Sequence, residues 1–229
     1  MNGLTGLRRW LARWRKPTEL TLAEAYTHWA TTYSPDAHNP LMELEQHALL
    51  ELLPEVARLR ALDVACGSGR YLARLMERGA ARAVGLDLSA PMLARAHTLS
   101  SEVLQADLCA LPLADSSFDV VTFGLAVGHI VNLSAALMEL ARVLAPHGVL
   151  VYSDFHPLGA LAGWQRTFRD KSGHEYAVPH HIHLYADHLA ACRAAGLLIE
   201  DVREPRIEFE SQWQGWPAVL VIRARKAQR

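Results

Sequence analysis

The stretch LDVACGSGRYLARL, residues 62–75, sets Gly67 and Gly69 between an apolar run and a helical-looking run. A glycine at such a bend admits positive φ and lets a ligand come close to the backbone. A helix that opens near Arg70 turns free N–H groups towards the same point. Asp63, just before the bend, can accept from an ammonium or from a loop N–H. Asp87 closes the next apolar run, VGLDLS. A carboxylate at the end of a second strand can accept from both hydroxyls of a ribose. The G-x-G-x-x-G fingerprint of nicotinamide-binding proteins lacks its third glycine here, because Gly69 is followed by Arg70, Tyr71 and Leu72. The G-x-x-x-x-G-K-S/T phosphate loop is absent as well. A nucleoside without a pyrophosphate fits this pattern better than a dinucleotide or ATP. The bend by itself is also compatible with a purely structural turn.

A second group of candidates lies further along. The chain has 12 histidines, many of them between His129 and His183. Three readings compete. In the first, the histidines form a polar wall and one serves as general base near neutral pH, with His156 or His183 preferred and His129 a further candidate. In the second, they satisfy loop carbonyls or face solvent. In the third, His180, His181 or His183 joins Asp154 or Asp187 around a metal, but spacing provides no third ligand; no metal is expected on balance. Arg166, Arg169 and Lys171 can hold an anion with Trp164 and Phe168 stacked beside it, or simply be solvated.

The elements that must position these residues show in the periodicity. Residues 19–33 read as a helix with Leu22, Tyr26, Trp29 and Tyr33 near one face, and 41–53 as another, ended by Pro54. The period then changes. RALDVA, ARAVGLDLS, SEVLQADL, SFDVVTFGLAV and GVLVYSDF read as strands, separated by helices over 71–77, after Pro91, and over 133–144. LIEDVREPRIEFE and WPAVLVIRARK follow a helix over 186–195 and read as an antiparallel last pair. Strands alternating with helices predict a doubly wound α/β domain with a mostly parallel sheet. Residues 1–55 are expected as a helical lead-in and lid, 56–229 as the α/β domain, and 156–183 as an irregular lid-like insert.

Composition narrows the class. The chain has 229 residues, 51% apolar and 21% charged, with a formal net charge of -1. It can bury a sizeable core. The charge argues against binding nucleic acid by bulk electrostatics. Cys66, Cys109 and Cys192 form no CxxC pair, which predicts a reducing compartment, the cytoplasm, with no disulfide frame. No signal peptide or spanning segment is expected. Residues 1–16 hold five cations and no acid, with Leu7, Trp10, Leu11 and Trp14 at helical spacing. Such a segment suits an anionic membrane or a protein groove, or packs on its own chain.

The pieces LDVACGSG, VGLDLSAPML, QADLCALPLADSSFDVVTF and ELARVLAPHGVLVYSDF, in that order over residues 62–155, resemble class I S-adenosylmethionine-dependent methyltransferases of the small-molecule type. YTHWATTY is similar to the tyrosine-bearing lead-in helix of that family. The resemblance implies a Rossmann-like seven-stranded sheet and methyl transfer to a small-molecule metabolite by in-line attack on the sulfonium methyl, with S-adenosylhomocysteine as product. It implies that Asp63, Ala65, Gly67 and Gly69 surround the methionyl end of the cofactor and that Asp87 holds the ribose. The methionyl carboxylate needs donors, which either N–H groups around Gly67 or Arg70 can supply. Leu88 and Met92 would lie beside the adenine, with Asp107 accepting from its amino group and Leu108 next to it. Phe123 and Leu125 would flank the sulfonium, and Tyr26 and Tyr33 would close over the methionyl group. Ala65 stands where many members have glycine. A carrier-bound acyl group or tRNA as acceptor, a non-catalytic cofactor-binding module, and a nicotinamide oxidoreductase are the alternatives. Monomer and homodimer are both open.

Overall fold

The computed structural model describes residues 17–228; the readings made for residues 1–16 lie outside these. The chain begins with β1 (Thr18–Glu19), α1 (Leu22–Trp29) and α2 (Pro40–Leu52). It continues through β2 (Arg60–Val64), α3 (Arg70–Glu77), β3 (Arg82–Asp87), α4 (Ala90–Ala96), β4 (Val103–Gln105) and β5 (Phe118–Phe123). Then come α5 (Leu133–Val143), β6 (Leu144–Phe155), α6 (Pro157–Leu161), β7 (Thr167–Arg169) and β8 (Glu175–Ala177). The last elements are α7 (Tyr185–Ala194), β9 (Leu197–Arg203) and β10 (Val219–Lys226).

Seven strands form the main sheet in the order β4-β3-β2-β5-β6-β10-β9. Neighbours from β4 to β6 run parallel, and β10 is antiparallel to both β6 and β9. The chain order reverses between β2 and β5, so the crevice beyond their carboxyl ends is the switch point where ligands of such sheets bind. Successive residues of β2 serve opposite faces. Leu62 and Val64 pack with Phe123, Leu137, Leu140 and Tyr152, whereas Ala61 packs with Leu49, Leu52, Leu72 and Leu75. Each large apolar side chain buried this way contributes about 1.5–3 kcal/mol. Burial on both faces is why these strands read as unbroken apolar runs.

The helix starts are chemically marked. Thr21 and Glu24 form a reciprocal capping box on α1, and Asn39 caps α2 with Pro40 in its first turn. Among the described residues no helix is long and apolar enough to cross a membrane.

The insert departs from the irregular stretch expected of 156–183. It contains α6 and an antiparallel hairpin of β7 and β8, and β1 pairs in parallel with β8 through Thr18↔Tyr176 and Glu19↔Ala177. Strands of two or three residues are too short to show an alternation, and their partner comes from the other end of the chain. Aromatic stacking ties this small sheet to α1: Trp29 lies on Phe168 at 4.8 Å and Phe168 on Tyr176 at 5.4 Å. The N-terminal helix and the insert therefore form one cap.

Beneath it, α2 is fastened to the sheet by a buried charge pair. Glu45 is fully buried; its Oε2 accepts from Arg70 Nη1 at 2.7 Å and its Oε1 accepts from Ser153 Oγ. Removing one member of a buried pair leaves the other charge uncompensated. Glu45→Ala is expected to cost about 3–5 kcal/mol, read as a lowered urea midpoint, with an unchanged midpoint counting against this anchoring role.

Candidate active site

A cavity of about 540 Å³ opens at the switch point, within the size range of ligand clefts. One end lies over the glycine bend. Ala65, Gly67 and Gly69 all take positive φ, at 51°, 54° and 96°. Gly67 N–H donates to Asp87 Oδ2 and Ser89 N–H to Asp87 Oδ1, both at 2.8 Å. The carboxylate that ends β3 thus shapes the bend that follows β2, and each of its oxygens keeps a further lone pair. Burial raises its pKa above the ordinary carboxylate value. A Cβ built on Gly67 would meet nothing within 4 Å, so that face of the bend is open.

Two of the expected cofactor residues lie elsewhere. Gly69 is absent from the cavity wall; a Cβ there would come within 2.9 Å of Leu99 Cδ1 and 3.5 Å of Ala96, so its role is the close approach of α3 to the α4 end of the fold. Asp63 also stands behind the wall. Its Oδ1 accepts from Thr122 Oγ1 at 2.8 Å and its Oδ2 from Leu72 N–H at 2.9 Å, which ties β2 to β5 and to α3. Burial pushes its pKa up to about 7, against the pull of these two hydrogen bonds. Ala65, Gly67, Arg70, Asp87, Leu88, Met92, Asp107, Leu108, Phe123 and Leu125 all line the cavity, as do Tyr26 and Tyr33. Asp107 also caps a short 3-10 turn by accepting from Cys109 N–H at 2.8 Å.

The opposite end is built from the cap. Leu125 follows β5 with φ of 53°, strained for a residue with a Cβ. Both of its peptide groups are held: its N–H donates to Ser153 Oγ at 3.0 Å, and its carbonyl accepts from Arg166 Nη1 at 2.8 Å. Arg166 is buried, donates from Nη2 to Asp154 Oδ1 at 2.7 Å, and lies 4.3 Å over the Phe155 ring. His129 Nε2 is 2.7 Å from Arg166 Nη1 and 2.8 Å from the Tyr26 hydroxyl. A guanidinium can only donate, so Nε2 accepts and Nδ1–H donates to Pro179 O at 3.3 Å. Burial, with Arg166 adding to it, holds the His129 pKa well below the usual value.

This geometry separates the three candidate bases. His129 lines the cavity, but its acceptor nitrogen is already engaged by Arg166. His156 and His183 are not among the lining residues. His156 is buried, with Nδ1 accepting from Leu158 N–H at 3.3 Å at the start of α6 and Nε2 facing Glu204 at 3.1 Å. His183 Nε2 donates to Ile130 O at 2.8 Å. Among the described residues no cluster of three His, Cys, Asp or Glu side chains is placed to hold a metal ion. Phe155, at the carboxyl end of β6, lines the cavity; so does Trp29, which was not singled out for it from the sequence. Trp29 could have been found, since it lies one turn beyond Tyr26 on the same helix.

A hollow at the switch point of a doubly wound sheet, with an acidic residue at the end of the second strand and glycine after the first, is the arrangement found in α/β proteins that bind nucleotide cofactors. Known proteins narrow this further. A methyltransferase-domain family model matches residues 62–152. A malonyl-[acyl-carrier protein] O-methyltransferase of Dechloromonas aromatica is 33% identical over 190 residues, covering 82% of this chain and 70% of that protein. A protein of the same name from Enterobacter lignolyticus is 39% identical over 118 residues, 51% of this chain, and the match spans about half (47%) of that relative. The crystal structure of an S-adenosylmethionine-dependent methyltransferase from Mesorhizobium loti superposes with a TM-score of 0.66 at 27% identity, over 80% of this chain and 97% of that one. The chain belongs to the class I S-adenosylmethionine-dependent methyltransferase family.

Asp63 makes a pH signature. Its folded pKa of about 7 lies above the unfolded value of 3.8, so the folded protein binds the extra proton between the two. The associated stability is fully present below the unfolded value and is lost as pH rises through the folded one. Asp63→Asn keeps an acceptor for Leu72 N–H, and Thr122 Oγ1 has a second acceptor in Leu62 O at 3.4 Å. The stability of Asp63→Asn relative to the unsubstituted protein should therefore rise from about pH 4 to about pH 7 and level off above. Urea midpoints across that range measure it; a constant difference removes the assignment.

Proposed function

We propose that this protein transfers the methyl group of S-adenosylmethionine to a small-molecule acceptor. The observation that carries this is one continuous hollow, running from Gly67 and Asp87 to His129 and Arg166. The residues present fit the cofactor. The open face of Gly67 receives the amino-acid tail, beside the Ala65 backbone, and Arg70 faces its carboxylate. The spare lone pairs of Asp87 accept from the ribose hydroxyls. Leu88, Met92 and Leu108 enclose the adenine, and Asp107 accepts from its amino group. Phe123 and Leu125 lie at the sulfonium end, with Tyr26 and Tyr33 above.

S-Adenosylmethionine supplies a methyl group already activated on a sulfonium. The chain's own work is to hold the acceptor in line with that methyl and to keep water out. Leu125, clamped at both peptide groups, fixes the wall at the meeting point of the two ends of the hollow. The described lead-in, residues 17–55, and the insert 156–183 act together as the lid, and 56–228 as the cofactor-binding domain. Tyr26 keeps its proton because burial raises its pKa, so it orients rather than abstracts. The names of the relatives favour a second acceptor, an acyl group on a carrier protein, since the match to the Dechloromonas protein extends over 82% of this chain.

Calorimetry with S-adenosylhomocysteine and with NAD tests the cofactor. S-Adenosylhomocysteine should bind and NAD should not, and NAD binding alone would overturn the proposal. Asp87→Asn should weaken S-adenosylhomocysteine about ten-fold or more, equivalent to about 1.4 kcal/mol; equal affinity sinks the ribose role. Gly67→Ala should do the same by filling the open face. Labelled methyl transfer, with a metabolite panel set against a malonyl-loaded carrier protein, separates the two acceptors.

A further inference from the structure

The far end of the cavity has more hydrogen-bond donors than acceptors. Arg166 offers five N–H groups, of which three are taken by Leu125 O, His129 Nε2 and Asp154 Oδ1. Its Nε is buried without a partner. The Tyr26 hydroxyl and Arg166 Nη1 both converge on the one lone pair of His129 Nε2. The mismatch survives a change of tautomer, because a proton on Nε2 makes that nitrogen a further donor and leaves only the Tyr26 hydroxyl oxygen as acceptor, which cannot take the Tyr26 O–H itself. Buried donors without acceptors are costly, and a ligand bringing acceptor oxygens relieves this. The pair of Arg166 with Asp154 is neutral overall, and the guanidinium lies over the Phe155 ring. Around it the walls are aromatic: Tyr26, Trp29, Phe155 and Trp164 all line the cavity.

We propose that Arg166 and Tyr26 form a binding site for a carboxylate, and that the acceptor is a carboxylate-bearing molecule with an apolar or aromatic body lying against Trp29, Phe155 and Trp164. The carboxylate takes the Tyr26 O–H and the uncommitted N–H groups of Arg166, leaving His129 Nε2 to Nη1 alone. A planar guanidinium matches a carboxylate in a way that an ammonium does not. His129 is then a positioning residue that sets the rotation of Arg166. This assignment rests on the methyl-transfer reading for the identity of the ligand as the acceptor.

Benzoate and its neutral isostere benzamide probe the site. Each is titrated into the full chain, with and without saturating S-adenosylhomocysteine, and followed by tryptophan fluorescence, since Trp29 and Trp164 line the cavity. Benzoate should bind at least ten-fold more tightly than benzamide. Tyr26→Phe should reduce that preference several-fold. Arg166→Gln should abolish it, and because that change leaves Asp154 unpaired, the double variant Asp154→Asn/Arg166→Gln provides a version without the orphaned charge. Equal binding of the two probes, binding of neither, or a preference that persists in the variants would overturn the proposal. S-Adenosylhomocysteine affinity, measured on the same samples, keeps the two readings apart. Affinity without discrimination ends only the carboxylate site, whereas discrimination without affinity ends the methyl-transfer reading.

Discussion

The bond between the carboxylate at the end of β3 and the backbone of the bend after β2 is the constraint from which the site follows. Between Val64 and Arg70 the chain must leave a buried strand and enter a helix. It does so through three positive-φ residues, and only two of them are glycine. Ala65 takes a conformation that costs an L-residue about 1–2 kcal/mol. The hydrogen bonds from Gly67 and Ser89 to Asp87, and from Leu72 to Asp63, offset that strain. One carboxylate faces the hollow and the other backs it. The same type of residue therefore does two different jobs on adjacent strands.

A second strained residue, Leu125, holds the other end. Its peptide groups join Ser153 on β6 to Arg166 in the insert. Through Ser153 the chain of bonds reaches Glu45 and Arg70. The two ends of the hollow are thus connected through a continuous polar network, in which every link is short and the two at Glu45 are fully buried. Networks of this kind are strong when satisfied and costly when broken. The cap adds to this by closing β1, from the start of the described chain, onto the hairpin of the insert. A cap assembled from remote segments positions Tyr26 against His129 without either segment needing a fold of its own.

Much of this architecture was legible beforehand. The apolar strands, the bend, Asp87 and the antiparallel final pair follow from local pattern, because burial on both sheet faces and the needs of a tight turn leave marks within a few residues. The hairpin of the insert left no such mark. Its strands are three residues long and are stabilised by stacking on Trp29 and Phe168, a contact between distant parts of the chain. Gly69 illustrates a subtler limit. Its positive φ was readable from the bend, but that its missing side chain serves helix packing instead of a ligand depends on where Leu99 and Ala96 come to lie.

By itself the sequence determined the order of elements, the α/β class and the carboxylate and glycine pair at the switch point, since these depend on periodicity and on backbone freedom. Only the tertiary structure decided which polar groups are available for chemistry. His129, His156 and His183 are the same residue type in similar contexts, yet one faces the cavity and two hold loops. The difference lies in what occupies each lone pair and N–H, and those partners come from residues as far away in the chain as Tyr26 and Glu204.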